Sequence, residues 1–108
     1  MEQQYPIRSL AAIMFTDMVG YTAMMQQDEH QAMTLRKRHR ETLERLHAEH
    51  NGKIVQYYGD GSLSIFGSAI NAVKCAQALQ EELQQEPVVP LRVGVHVGDI
   101  AYEENGVF

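Results

Sequence analysis

One cysteine, Cys75, is all that this 108-residue chain contains, so no disulfide can close within it. That favours a reducing compartment, and the chain is expected to be cytoplasmic. Basic residues are outnumbered: nine Lys and Arg against fourteen Asp and Glu give a net charge of −5. There is thus no basic footprint for nucleic acid, which is not an expected partner. No apolar run approaches the length of a membrane span. The N-terminal MEQQYPIRSL lacks the basic and then apolar order of a signal peptide. Neither a membrane contact within this segment nor secretion is therefore expected. Repeats, low-complexity tracts and internal linkers are also missing. What is present suits one small globular domain, with 44% hydrophobic and 21% charged residues. A chain of this size buries a real core with little stability to spare.

Residues 1–8 read as a lead-in and residues 9–108 as the domain. The apolar run Leu10-Ala11-Ala12-Ile13-Met14-Phe15 predicts a buried strand over 9–16, followed by a short helix over 19–26. Asp28, with Gln31 three residues on, has the form of a capping box opening a helix to about His50. Ala32, Leu35, His39, Leu43 and Leu46 fall on one face of that helix. Asn51-Gly52 stops it. Strands over 53–58 and 62–66 then flank a Gly59-Asp60-Gly61 tip. Ser68 caps a helix to about Gln85, with Ala69, Val73, Ala76, Leu79 and Leu83 as its expected core stripe. Leu91, Val93, Val95 and Val97 alternate with Arg92, Gly94, His96 and Gly98, which predicts a half-buried strand. Gly98-Asp99 is expected to turn the chain into a further strand from Ile100. Asn105-Gly106 signals a hairpin whose second arm is only Val107-Phe108. The strand from Ile100 is therefore expected to lack a complete partner and to invite self-association. The order β-α-α-β-β-α-β-β predicts an α+β ferredoxin-like sandwich, truncated before its last elements.

Two aspartates carry most of the chemical information. Asp17 lies in FTDMVGYT and Asp60 in QYYGDGSLSIF, each set into a glycine-containing turn at a strand end. Pairing these strands would bring both carboxylates to one end of a sheet. A hard cation such as Mg²⁺ is commonly held by one or two carboxylates together with substrate phosphates. Each residue also has an ordinary structural reading. Asp17 suits a cap for the next helix, and Asp60 suits a turn. His39 reads as packed or hydrogen-bonded, and His96 as a surface residue beside Arg92. Arg36, Lys37, Arg38 and Arg40 read as a solvated helix face with Glu41 and Glu44. Met24, Met25 and Met33 read as core or interface filler, and Cys75 as a small buried residue.

Three elements, FTDMVGYT, GKIVQYYGDG and RVGVHVGD, occur in this order across Leu10 to Phe108. Together they resemble the N-terminal half of a class III nucleotidyl (adenylate or guanylate) cyclase catalytic domain. The resemblance implies a dimer with active sites in the cleft between two domains. It also implies conversion of a nucleoside triphosphate to a 3′,5′-cyclic nucleotide and pyrophosphate. Asp17 and Asp60 would bind two ions, Mg²⁺ or Mn²⁺, with the Met18 carbonyl as an added ligand. The amides of Val19, Gly20, Tyr21 and Thr22 would receive phosphate at a helix start. Gln56 stands where adenylyl cyclases of the family carry lysine and guanylyl cyclases glutamate. Glutamine can donate or accept, so the base stays open. The asparagine and arginine that stabilise the transition state in the family lie past residue 108, so this chain alone is expected to be inactive. The alternative is a cyclase-like module that binds nucleotide or dimerises without turnover.

Overall fold

Twelve residues form the central strand, β1 (Ile7–Met18), and burial alternates along its second half. The structure is a computed structural model that describes residues 7–103, 106 and 107. The expected lead-in over 1–6 and the Asn105 half of the Asn105-Gly106 turn lie outside these residues. Ile7 and Arg8, expected in the lead-in, already belong to β1. Two helices follow, α1 (Tyr21–Gln27) and α2 (Glu29–Glu49), then β2 (Gly52–Tyr58) and β3 (Gly61–Phe66). Helix α3 (Ala69–Leu83), β4 (Leu91–Glu103) and β5 (Gly106–Val107) complete the order. The sheet runs β2-β3-β1-β4-β5, with the four long strands antiparallel to their neighbours. This is the strand order of a ferredoxin-like α+β sandwich, as the pattern of elements predicts.

The caps follow from local chemistry. Asp28 Oδ1 accepts the Gln31 N–H at 3.0 Å. The reciprocal half of the capping box is replaced, because the Asp28 N–H donates to the Met24 carbonyl and closes α1. Ser68 Oγ accepts the Asn71 N–H at the start of α3. Helices α2 and α3 lie against one face of the sheet and bury a core that includes Met14, Leu43, Phe66, Leu79 and Leu83. The α2 stripe is buried as expected. The α3 stripe is rotated: Ala72, Cys75, Leu79 and Leu83 are buried, Ala76 packs at the margin, and Val73 is exposed.

Three other expectations are corrected. Gly98-Asp99 makes no turn, since β4 continues to Glu103 and pairs with β1 from Met18↔Leu91 to Ile7↔Tyr102. Ile100 to Tyr102 therefore have partners on one edge, and Val107 and Gly106 meet Tyr102 and Glu103 on the other. The basic face of α2 is not uniformly solvated. Lys37 does pair with Glu41, at 3.9 Å. Arg38, however, donates to the carbonyls of Glu82, Gln85 and Pro87 and so satisfies the end of α3. Met33, expected as core or interface filler, is exposed on α2, which places it outside the core and leaves the interface reading standing.

Two buried histidines join α2 to the sheet. His47 Nδ1–H donates to the Leu43 carbonyl at 2.7 Å, so Nε2 accepts from the Ser64 hydroxyl, also at 2.7 Å. His39 Nε2 lies 3.1 Å from Thr16 Oγ1, and its Nδ1 is buried with no partner. Burial holds both imidazoles below their usual pKa. For His39 it reaches about 4, with Arg40 adding to the shift and Asp60 and Asp17 opposing it. Unfolded, His39 titrates near 6.5, so between these values the unfolded chain binds more protons. Stability is full above that window and is lost as pH falls through it. Between pH 7 and pH 5 we expect His39 to remove about 2 kcal/mol. Urea unfolding at the two pH values, compared with His39→Gln, checks this. Equal losses in both proteins would contradict it.

Candidate functional site

The open face of the sheet, opposite the helices, is where Asp17 emerges. Along β1, Thr16 and Met18 turn into the helix layer, whereas Phe15 and Asp17 face outward, and Phe15 is 45% exposed. Asp17 lies across from Gly61 on β3 and from Arg92 on β4. Its carboxylate is gripped by Arg92 through Nε at 2.9 Å and Nη2 at 3.2 Å. It does not cap α1, so the capping reading fails: residue Gly20 holds that position without a side-chain bond.

Asp60 sits at the tip between β2 and β3, and its Oδ2 accepts the Met18 N–H at 3.1 Å. The carboxylate of the hairpin is thus hydrogen-bonded to the residue that follows Asp17. Both acids lie at the same end of the sheet. Gly61 permits this approach. A Cβ there would stand 2.6 Å from the Thr16 carbonyl oxygen and 3.0 Å from the Tyr58 ring.

After Met18 the chain reverses through Gly20, whose φ of 73° suits glycine. Tyr21 and Thr22 open α1, and the first-turn N–H groups of a helix have no partner within it. Val19 differs from expectation, because its N–H donates to the Pro90 carbonyl at 2.9 Å. Of the four expected amides, that of Val19 is thus already engaged within the chain.

Gln56 is exposed, and a bulge decides where it points. The ladder passes from Ile54↔Ser64 to Gln56↔Leu63, leaving Val55 as the extra residue. In an unbulged ladder Val55 would pair with Leu63 and Gln56 with Ser62, on the core face of Ile54. With the bulge, Tyr57 turns inward and Gln56 shares the open face with Leu63 and Phe15.

Arg92 is the functional candidate that residue-by-residue reasoning missed. The signal was its place at the head of RVGVHVGD, on the polar side of the alternation. Arg40 is another. It stacks 4.3 Å over the Tyr57 ring and reaches the Gly59 carbonyl at 3.5 Å, bracing the hairpin tip. Between Phe15, Asp17, Tyr58, Arg92 and Gly94 lies a depression of about 310 Å³.

Among the described residues no three His, Cys, Asp or Glu side chains cluster as a complete metal cage. Two carboxylates fit a Mg²⁺-type cation that takes its remaining oxygens from a phosphate substrate and water. No described helix is long and apolar enough to cross a membrane.

The family model described as "Adenylate and Guanylate cyclase catalytic domain" matches residues 4–107. "Putative adenylate cyclase 3" of Rhizobium meliloti (strain 1021) is 44% identical over 94% of this chain and 19% of its own length. "Serine/threonine-protein kinase pkn2" of Myxococcus xanthus is 31% identical over 88% of the chain and 12% of its own length. Among solved structures, an adenylate/guanylate cyclase/hydrolase from Silicibacter pomeroyi superposes with a TM-score of 0.83 at 34% identity. That match covers 94% of this chain and 64% of the other. The chain thus spans under a fifth of the curated relatives and under two thirds of the solved one.

Proposed function

This chain belongs to the adenylate and guanylate cyclase catalytic domain family, and from that membership we propose that the Asp17–Asp60 end of its sheet is the metal-binding part of a nucleotidyl cyclase site. In the reaction the ribose 3′-oxygen bonds to the α-phosphorus of a nucleoside triphosphate. The bond to the β-phosphate oxygen breaks, pyrophosphate leaves, and the 3′-hydroxyl proton passes to solvent. Two divalent cations, Mg²⁺ or Mn²⁺, would supply positive charge for the 3′-hydroxyl and the leaving phosphates. Asp17, Asp60 and the Met18 carbonyl hold them. The observation that carries this reading is the Asp60 carboxylate bonded to the Met18 N–H, with Asp17 across from Gly61.

The remaining groups have roles that follow from their positions. The amides of Gly20, Tyr21 and Thr22 receive phosphate oxygens. Arg92, beside Asp17 on the open face, would add positive charge near the phosphates. Gln56, exposed on the same open face, contacts the base. The uncovered sheet face, on which Phe15 is exposed, is the surface for a second copy, and the site is completed between the two.

A non-catalytic nucleotide-binding role draws on one observation, that Arg92 already occupies Asp17. That pair is exposed, 73% and 42% for its two side chains, and so contributes little that an entering cation must overcome.

The protein carrying this domain is assayed with each of the four triphosphates and Mn²⁺. A 3′,5′-cyclic nucleotide and pyrophosphate in equal amounts is the expected result; nucleotide binding with neither product favours the non-catalytic role. Gln56→Lys and Gln56→Glu are expected to redistribute turnover among the four triphosphates. An unchanged preference profile would show that Gln56 does not read the base.

A further inference from the structure

Directly beneath the two aspartates, on the helix side of the sheet, lies a buried hydrogen-bonded chain that the proposed chemistry does not use. Thr16 precedes Asp17, and Ser62 follows Asp60 by two residues. They face each other across β1 and β3, one ladder step from Asp17↔Gly61. Their hydroxyls are 2.5 Å apart, and His39 Nε2 on α2 reaches Thr16 Oγ1 at 3.1 Å. None of the three is more than 2% exposed.

We propose that His39 is a positioning residue for the Asp17–Asp60 pair, acting through Thr16 and Ser62. The inference rests on the metal-binding reading of those aspartates and adds a residue to it.

Packing alone does not account for a histidine here. Its neighbours on the buried stripe are Leu35, Thr42 and Leu43. A leucine would fill the same face without stranding a buried ring nitrogen, and His39 Nδ1 has no partner. What the imidazole adds is the bond to Thr16. With the proton on Nε2 the ring donates to Thr16 and leaves only a lone pair unpartnered at Nδ1. The Thr16 hydroxyl is then directed at Ser62, which ties β1 to β3 by side chains at the step beside the two acids. The next residue on α2, Arg40, reaches the Gly59 carbonyl at the hairpin tip. One helix turn therefore braces both strand ends from which Asp17 and Asp60 project. Groups that orient metal ligands commonly change metal affinity by about 10- to 100-fold when removed.

The test is Mn²⁺ binding, read from the electron paramagnetic resonance of free Mn²⁺, in the protein carrying this domain. Circular dichroism establishes folding for each variant. His39→Leu is expected to weaken Mn²⁺ binding by about tenfold. His39→Gln, whose amide can place an N–H near the Nε2 position, is expected to stay close to wild type. Thr16→Val keeps the shape and removes the hydroxyl, so it should lose as much as His39→Leu. It also decides the matter if His39→Leu does not fold. A folded His39→Leu or Thr16→Val protein that binds Mn²⁺ as tightly as wild type overturns the inference and reduces His39 to packing. If instead the wild type takes up no Mn²⁺ in a manner that Asp17→Asn abolishes, the metal-site reading itself has failed.

Discussion

Asp17→Asn and Asp60→Asn are each expected to lower cyclic-nucleotide formation at least about a hundredfold in the protein carrying this domain. Each change removes one negative charge from a site that supplies two, and amide oxygens bind hard cations poorly by comparison. The fold should survive both. The side-chain amide introduced by Asp60→Asn retains an oxygen that can accept the Met18 N–H, and the Asp17–Arg92 pair is too exposed to hold the sheet together. Initial rates with Mn²⁺, alongside circular dichroism, are the measurement. Retention of more than about a tenth of the wild-type rate by either folded variant would remove its aspartate from the machinery.

Gly61→Ala is expected to damage stability and site together. The new Cβ would fall 2.6 Å from the Thr16 carbonyl oxygen, which is backbone and cannot rotate away. Relief requires β1 and β3 to separate at Asp17↔Gly61, the step that places Asp17 beside the hairpin tip carrying Asp60. Forcing atoms into a close-packed contact costs about 1–3 kcal/mol. Gly67→Ala is the control, since nothing lies within 4 Å of a Cβ there. Urea midpoints should fall for Gly61→Ala and hold for Gly67→Ala, and Mn²⁺ affinity should follow the same order. Equal midpoints would mean that the strands yield at no cost.

Periodicity made most of the fold legible. Ala32, Leu35, His39, Leu43 and Leu46 share one face by spacing, and all five are buried. The Leu91-Val93-Val95 alternation likewise marks β4, although Val97, expected on the same side, is 48% exposed. Where spacing misleads, a competing interaction has won. Gly98-Asp99 reads as a turn by itself, yet the long β1 edge offers paired positions past it, and the ladder continues. Val73 has the right spacing for the α3 stripe, but the small residues Ala72 and Cys75 meet the sheet instead. The bulge that turns Gln56 outward leaves no mark in a run of β-formers. For the site, both aspartates were legible because glycine and strand pattern fix their backbone setting. The Arg92 and His39 contacts were not, because each joins residues far apart in sequence through a side chain.

Crystals of the protein carrying this domain, grown with Mn²⁺ and a 3′-deoxynucleoside triphosphate that cannot cyclise, give the most direct test. Anomalous scattering locates the ions without reference to activity. Two Mn²⁺ peaks in reach of both Asp17 and Asp60, with Arg92 off Asp17 and turned toward phosphate, are the predicted result. Nucleotide bound in the site with no Mn²⁺ at either carboxylate, and Arg92 still paired with Asp17, would contradict the account.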